Sequence, residues 1–258
     1  MGFFAALQFL TIIPIRLNFS GGQVGRATGY FPLVGIIIGV ILAGLNYLLS
    51  LALPPALVNV LLVAAMVILT GALHLDGLVD TCDGIAGHRT PEERWRIMHD
   101  SRAGGFGVIG AALLLLVKFV ALNSVPPGLM MFSLLVAPAV SRWTMVYAIF
   151  AYPYARPAGL GKAFKQATGL WQFIIATLIT VVLAAGLFRL AGLVIILVVW
   201  FMVLAVAFYL KRKFAGLTGD TYGAINECAE TGVFVIVSLL AYRHWLVQKV
   251  FNISGFLL

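Results

Sequence analysis

The sequence predicts an all-α fold: a polytopic membrane helix bundle of about seven transmembrane helices, with one N-terminal helix lying in the interface or re-entering. Three observations predict it. Hydrophobic residues make up 62% of the 258 residues and charged residues only 10%, against about 25% in a typical soluble domain. Apolar runs near the ~20 residues needed to cross hydrocarbon recur along the whole length. Lys and Arg gather on alternate connections, the asymmetry that sets membrane orientation. No linker or low-complexity tract interrupts the chain, so 1–258 reads as a single integral-membrane domain.

The elements follow in order. Gly2–Ile15 is short and broken at Pro14, so it is expected to lie in the interface or re-enter rather than cross. The expected spans are Gly29–Leu53, Ala56–Leu73, Gly104–Leu122, Leu129–Ala151, Trp171–Phe188, Ala191–Leu210 and Thr231–Lys249. With the N-terminus inside, the inner segments hold Arg16 and Arg26; Arg89, Arg94, Arg96 and Arg102; Arg156, Lys162 and Lys165; and Lys211, Arg212 and Lys213. The outer turns hold almost nothing basic, so the inner segments face the cytoplasm of a cell inner membrane. The net charge of +8 mostly reflects this topology and favours anionic lipid headgroups. Nucleic-acid binding is excluded, because the cations are scattered over three loops beside carboxylates. Arg142, mid-span, is expected to face the bundle interior. Lys118, near the outer end of its span, reads as snorkelling. Cys82 and Cys228 read as small residues filling helix faces.

All nine carboxylates lie in two stretches on the cytoplasmic side, Asp76, Asp80, Asp83, Glu92, Glu93 and Asp100 in one, and Asp220, Glu227 and Glu230 in the other. Asp76, Asp80 and Asp83 share one helix face. Three like charges there repel unless a cation sits between them. His74 reads either as a phosphate contact or base, or as an ordinary interface residue. Thr90-Pro91-Glu92-Glu93 is a helix start, with Thr90 as cap. Arg94 and Arg96 decorate that helix, with Arg96 in reach of a phosphate. Asp100-Ser101-Arg102-Ala103-Gly104-Gly105 leads into the next span. A glycine-rich helix start is a natural anion site, and Arg102 adds a bidentate contact. In the second stretch Asp220 and Glu227 are two turns apart on one face, and Glu230 follows. Asn226 offers another oxygen, and Thr218 caps the helix or approaches a ligand. Oxygen-only donors on two helices suit Mg²⁺ or Mn²⁺ rather than Zn²⁺. The fitting reaction class is metal-assisted phosphoryl transfer at the membrane surface.

The segments HLDGLVDTCDG, IMHDSRAGGFG and GLTGDTYGAINECAE, with ALQFLTIIPI, YFPLVGIIIG and YARPAGLGKAF, resemble the cobalamin synthase family. These enzymes are also called adenosylcobinamide-GDP ribazoletransferases. One departure is His99, where Lys or Arg is more usual. The resemblance implies attack by an α-ribazole or α-ribazole 5′-phosphate hydroxyl on the phosphate of adenosylcobinamide-GDP, with GMP leaving and Mg²⁺ as cofactor. It implies that Asp76, Asp80 and Asp83 hold the metal and that Asp220 and Glu227 complete the metal site or position the attacking hydroxyl. Asp80, Asp100 and Asp220 are the catalytic candidates. His74, Arg96, Ser101, Arg102, Thr218 and Asn226 are the phosphate- or substrate-binding candidates. The oligomeric state stays open, a homo-oligomer included. A CDP-alcohol phosphotransferase is the alternative enzyme, but it needs Ala-Arg soon after the first Asp-Gly, where Val79-Asp80 stands. A divalent-cation transporter would place its carboxylates near mid-membrane on broken helices.

Overall fold

A computed structural model describes residues 1–15, 17, 26–87, 89–100 and 102–243. Ser101 and the end of the last expected span lie outside the described residues. Eleven α-helices are present among the described residues: α1 (Gly2–Leu10), α2 (Phe31–Ser50), α3 (Pro55–Leu69), α4 (Leu73–Ile85), α5 (Pro91–Ile97), α6 (Gly105–Asn123), α7 (Pro127–Ala151), α8 (Leu160–Ala167), α9 (Leu170–Phe188), α10 (Leu190–Phe214) and α11 (Gly219–Tyr242).

Six helices are long and apolar enough to cross a membrane, namely α2 with the 3₁₀ turn before it, α6, α7, α9, α10 and α11. A bent pair, α3 and α4, makes up to seven. Apolar side chains cover the outside as well as the core. On α6, Phe106, Ile109, Leu113, Leu116 and Val120 are all exposed, as a lipid-facing surface requires. The protein is a multi-pass membrane protein. Helix α1 covers only about 14 Å, too short to cross, and buries Ala5, Ala6, Leu7 and Leu10 against the bundle.

The break between α3 and α4 fixes the site. Gly71 and Ala72 both adopt left-handed backbone, with φ of 59° and 58°. Thr70 Oγ1 turns back to donate to Met66 O at 3.1 Å. The chain bends by 87° there, so α4 leaves the axis of α3.

Helix α7 sits at the centre, packed against α2, α9 and α11. It approaches α2 closely because Gly39 has no Cβ, which would stand 2.6 Å from Leu134 O. Such contact is the usual glue between helices in lipid.

The last span differs from expectation. It begins at Gly219 rather than Thr231 and carries the whole second acidic stretch inside the helix. Glu230 lies about 16 Å along its axis. The physical reason is neutralisation by cations from α6 and α7. Lys118 Nζ donates to Glu227 Oε2 at 2.6 Å and to Glu230 Oε1 at 2.9 Å. Arg142 Nη1 donates to Glu230 Oε2. All four residues are at most 5% exposed. Two cations and two carboxylates form a neutral quartet. Lys118 therefore does not snorkel, while Arg142 faces the interior as expected.

Candidate active site

Helix α4 meets the first turn of α11 through two glycines. A Cβ on Gly77 would stand 2.7 Å from Asp220 O, and one on Gly223 would stand 3.1 Å from His74 O. This contact brings Asp76 and Asp80 beside Asp220. Burial, then repulsion by Asp220 and Asp76, pushes the Asp80 carboxyl up to about 7, with Arg156 opposing.

Asp220 is held by Arg156, which the sequence marks as one of the inner cations. Arg156 Nη2 donates to Asp220 Oδ2 at 2.8 Å. Its loop is pinned to the start of α11, since Leu217 N donates to Pro153 O at 2.9 Å and Ala155 N to Leu217 O at 2.8 Å. The one further signal for Arg156 was its place in YARPAGLGKAF. Its Nε is buried without a partner.

Other expected site residues serve the fold. Asp83 Oδ2 accepts from Gly104 N at 2.7 Å and its Oδ1 from Gly107 N at 2.8 Å. It therefore caps α6, where a carboxylate meets the helix dipole. The Glu227 carboxylate accepts from Lys118 in the core. Thr218 is the buried N-cap of α11, accepting from Thr221 N at 3.2 Å, and is not placed as a ligand. Asn226 is fully buried, and neither amide atom has a hydrogen-bond partner.

Asp100 and Arg102 bind each other. Arg102 Nε donates to Asp100 Oδ1 at 3.0 Å and Nη2 to Oδ2 at 2.8 Å. These bonds hold the Asp100 carboxyl down at about 2. Both residues line an open cleft of about 650 Å³ with Asp83, Arg89, Gly104 and Gly105. Arg96 is exposed on α5. Thr90 and Glu93 form the expected capping box. Arg94, read as surface decoration, is buried and donates to the carbonyls of Gly84, Ile85, Gly87 and Arg89.

A second cavity of about 210 Å³ has Asp76 and Asp220 in its lining, together with His74, Phe31, Met145 and Phe164. Among the described residues no three His, Cys, Asp or Glu side chains form a ready-made metal cage. Asp76 and Asp80, with Asp220 alongside, are the carboxylates gathered where α4 meets α11.

Spans enclosing a neutral charged core, with a carboxylate cluster where α4 crosses the start of α11, define a multi-pass membrane protein with polar chemistry at one end of its bundle. The family model described as cobalamin-5-phosphate synthase matches residues 2–238. The chain belongs to that family and is an enzyme, a transferase. A Geotalea daltonii protein named adenosylcobinamide-GDP ribazoletransferase is 40% identical over 241 residues, covering 93% of this chain and 96% of the relative. Proteins of the same name from Desulforamulus reducens and Pseudomonas syringae pv. syringae are 40% and 38% identical. They cover 91% and 92% of this chain, and 94% and 99% of their own lengths. No solved structure matches.

Proposed function

We propose that this enzyme transfers the adenosylcobinamide phosphate group from adenosylcobinamide-GDP to α-ribazole or α-ribazole 5′-phosphate. GMP leaves, and adenosylcobalamin or its 5′-phosphate forms. The observation that carries this reading is the meeting of Asp76 and Asp80 with Asp220 and Arg156, in a chain whose relatives bear the ribazoletransferase name. The positive-inside pattern supports a site at the cytoplasmic face of an inner membrane.

The reaction forms a bond from an acceptor hydroxyl oxygen to the phosphorus on the cobinamide side. It breaks the bond to the bridging diphosphate oxygen; GMP keeps that electron pair, and the acceptor's hydroxyl proton passes to water or to the departing GMP phosphate. Asp76, Asp80 and Asp220 would hold Mg²⁺, which when bound neutralises charge on the diphosphate oxygens. The donor chemistry fits. Mg²⁺ keeps several waters and uses one or two carboxylates with substrate phosphates, not a closed protein cage. Burial first, and then the Asp220 and Asp76 carboxylates, raise the Asp80 carboxyl, and a bound cation would relieve the like-charge part. Arg156, fixed by Asp220, turns its unpartnered Nε–H to a phosphate oxygen. Asp100, held at about 2, is poorly matched to taking a proton near neutral pH. With Arg102 it lines the open cleft, where the guanosine phosphates would lie.

Purified protein should release GMP from adenosylcobinamide-GDP only when both α-ribazole and Mg²⁺ are present. Asp80→Ala should abolish turnover while the protein stays folded. GMP release without α-ribazole, or full activity in Asp80→Ala, would overturn the assignment.

A further inference from the structure

We infer that the cavity beside Asp76 and Asp220 receives the flat aromatic base of the acceptor, with His74 Nε2–H donating to an unsubstituted ring nitrogen. The inference rests on the acceptor named above. Three phenylalanines from three helices wall this cavity: Phe9, Phe31 and Phe164. Their ring centroids lie 4.7 Å apart for Phe9–Phe164, 5.6 Å for Phe31–Phe164 and 6.1 Å for Phe9–Phe31. Such a wall suits a planar, largely apolar ring.

His74 makes the cavity selective. It is 1% exposed, and Arg142 Nη2 lies 3.5 Å from its Nδ1. A guanidinium only donates, so Nδ1 is the acceptor and the neutral ring carries its proton on Nε2. That Nε2 is buried without a hydrogen-bond partner, as is the hydroxyl of Tyr222, which also lines the cavity. A buried donor without a partner calls for an acceptor on the ligand. The methylated benzimidazole of α-ribazole has one unsubstituted ring nitrogen, its ribose is carried on the other nitrogen of the same five-membered ring, and Asp76 and Asp220 line the same cavity. A lipid chain would leave the donor stranded. Guanine presents more donors and acceptors on its edge than this wall can meet.

The test measures binding calorimetrically on the full chain in detergent. The probes are α-ribazole and its indole counterpart, in which C–H replaces the ring nitrogen. Wild-type protein should prefer α-ribazole by about 10-fold or more, since the counterpart leaves the histidine N–H unpaired. His74→Phe should erase that preference, and His74→Gln, which keeps an N–H donor, should restore part of it. Met145→Trp, which fills the cavity, should weaken both probes at least about 10-fold. An undiminished preference in His74→Phe, or wild-type affinity in a folded Met145→Trp, would overturn the inference. If Met145→Trp fails to fold, the His74 ratio decides alone. The two readings fail separately. Selective binding without GMP release would sink the proposed reaction but keep this subsite. Acceptor-dependent GMP release with both variants binding like wild type would sink the subsite alone.

Discussion

Replacing Lys118 by Met removes one cation from the buried quartet and keeps most of the side-chain volume. Its Nζ is the only hydrogen-bond donor to Glu227 among the described residues, at 2.6 Å, and it shares Glu230 with Arg142. Without it two carboxylates face one guanidinium. The stranded Glu227 carboxylate stays in a site 5% exposed, at the roughly 3–5 kcal/mol typical of a broken buried pair. The loss is read by equilibrium unfolding in mixed detergent and SDS. Lys118→Met with Glu227→Gln should recover most of the loss, because the quartet becomes a neutral trio. A single variant within about 0.5 kcal/mol of wild type, or a double variant no more stable than the single, would refute this account.

Gly77→Ala should cost about 1–3 kcal/mol of stability and at least about 10-fold in kcat/KM, because its Cβ would stand 2.7 Å from Asp220 O. Gly44→Ala, where a Cβ meets nothing within 4 Å, should be neutral or stabilising and serves as the control. Arg94→Met should cost about 1–3 kcal/mol by stranding the carbonyls it satisfies, with faster amide exchange confined to 84–100. Arg156→Ala should raise the KM for adenosylcobinamide-GDP by about 10-fold or more; an unchanged KM would remove it from phosphate binding.

What the sequence revealed, and what it hid, divides by distance along the chain. Spans are read from local hydropathy, and α2, α6, α7, α9 and α10 lie close to their expected places. The Thr90–Glu93 capping box and the shared face of Asp76, Asp80 and Asp83 are also local patterns. The duties of individual carboxylates are not. Glu227 and Glu230 read as a surface cluster because their cations lie 109 and 88 residues away. Asp83 reads as the third member of an equal trio, yet its partners are amides 21 and 24 residues downstream. Arg156 meets Asp220 across 64 residues, and nothing in its own segment announces a carboxylate. Local pattern located the polar residues, while their pairing depends on how α4, α6, α7 and α11 pack.

The quartet also has a bearing on how the chain is made. Helices α6 and α7 leave the ribosome carrying Lys118 and Arg142 before any carboxylate of α11 exists. With 88 residues between Arg142 and Glu230, synthesis at roughly 5–20 residues per second leaves that cation without its partner for on the order of 5–20 s. A lone cation at that depth is costly in lipid, so α6 and α7 must be sheltered until α11 arrives. Helix α11, the last among the described residues, is thus the one that releases the earlier ones to the bilayer, and a chain cut short before α11 retains two unanswered charges, a mark by which quality control recognises it as unfinished.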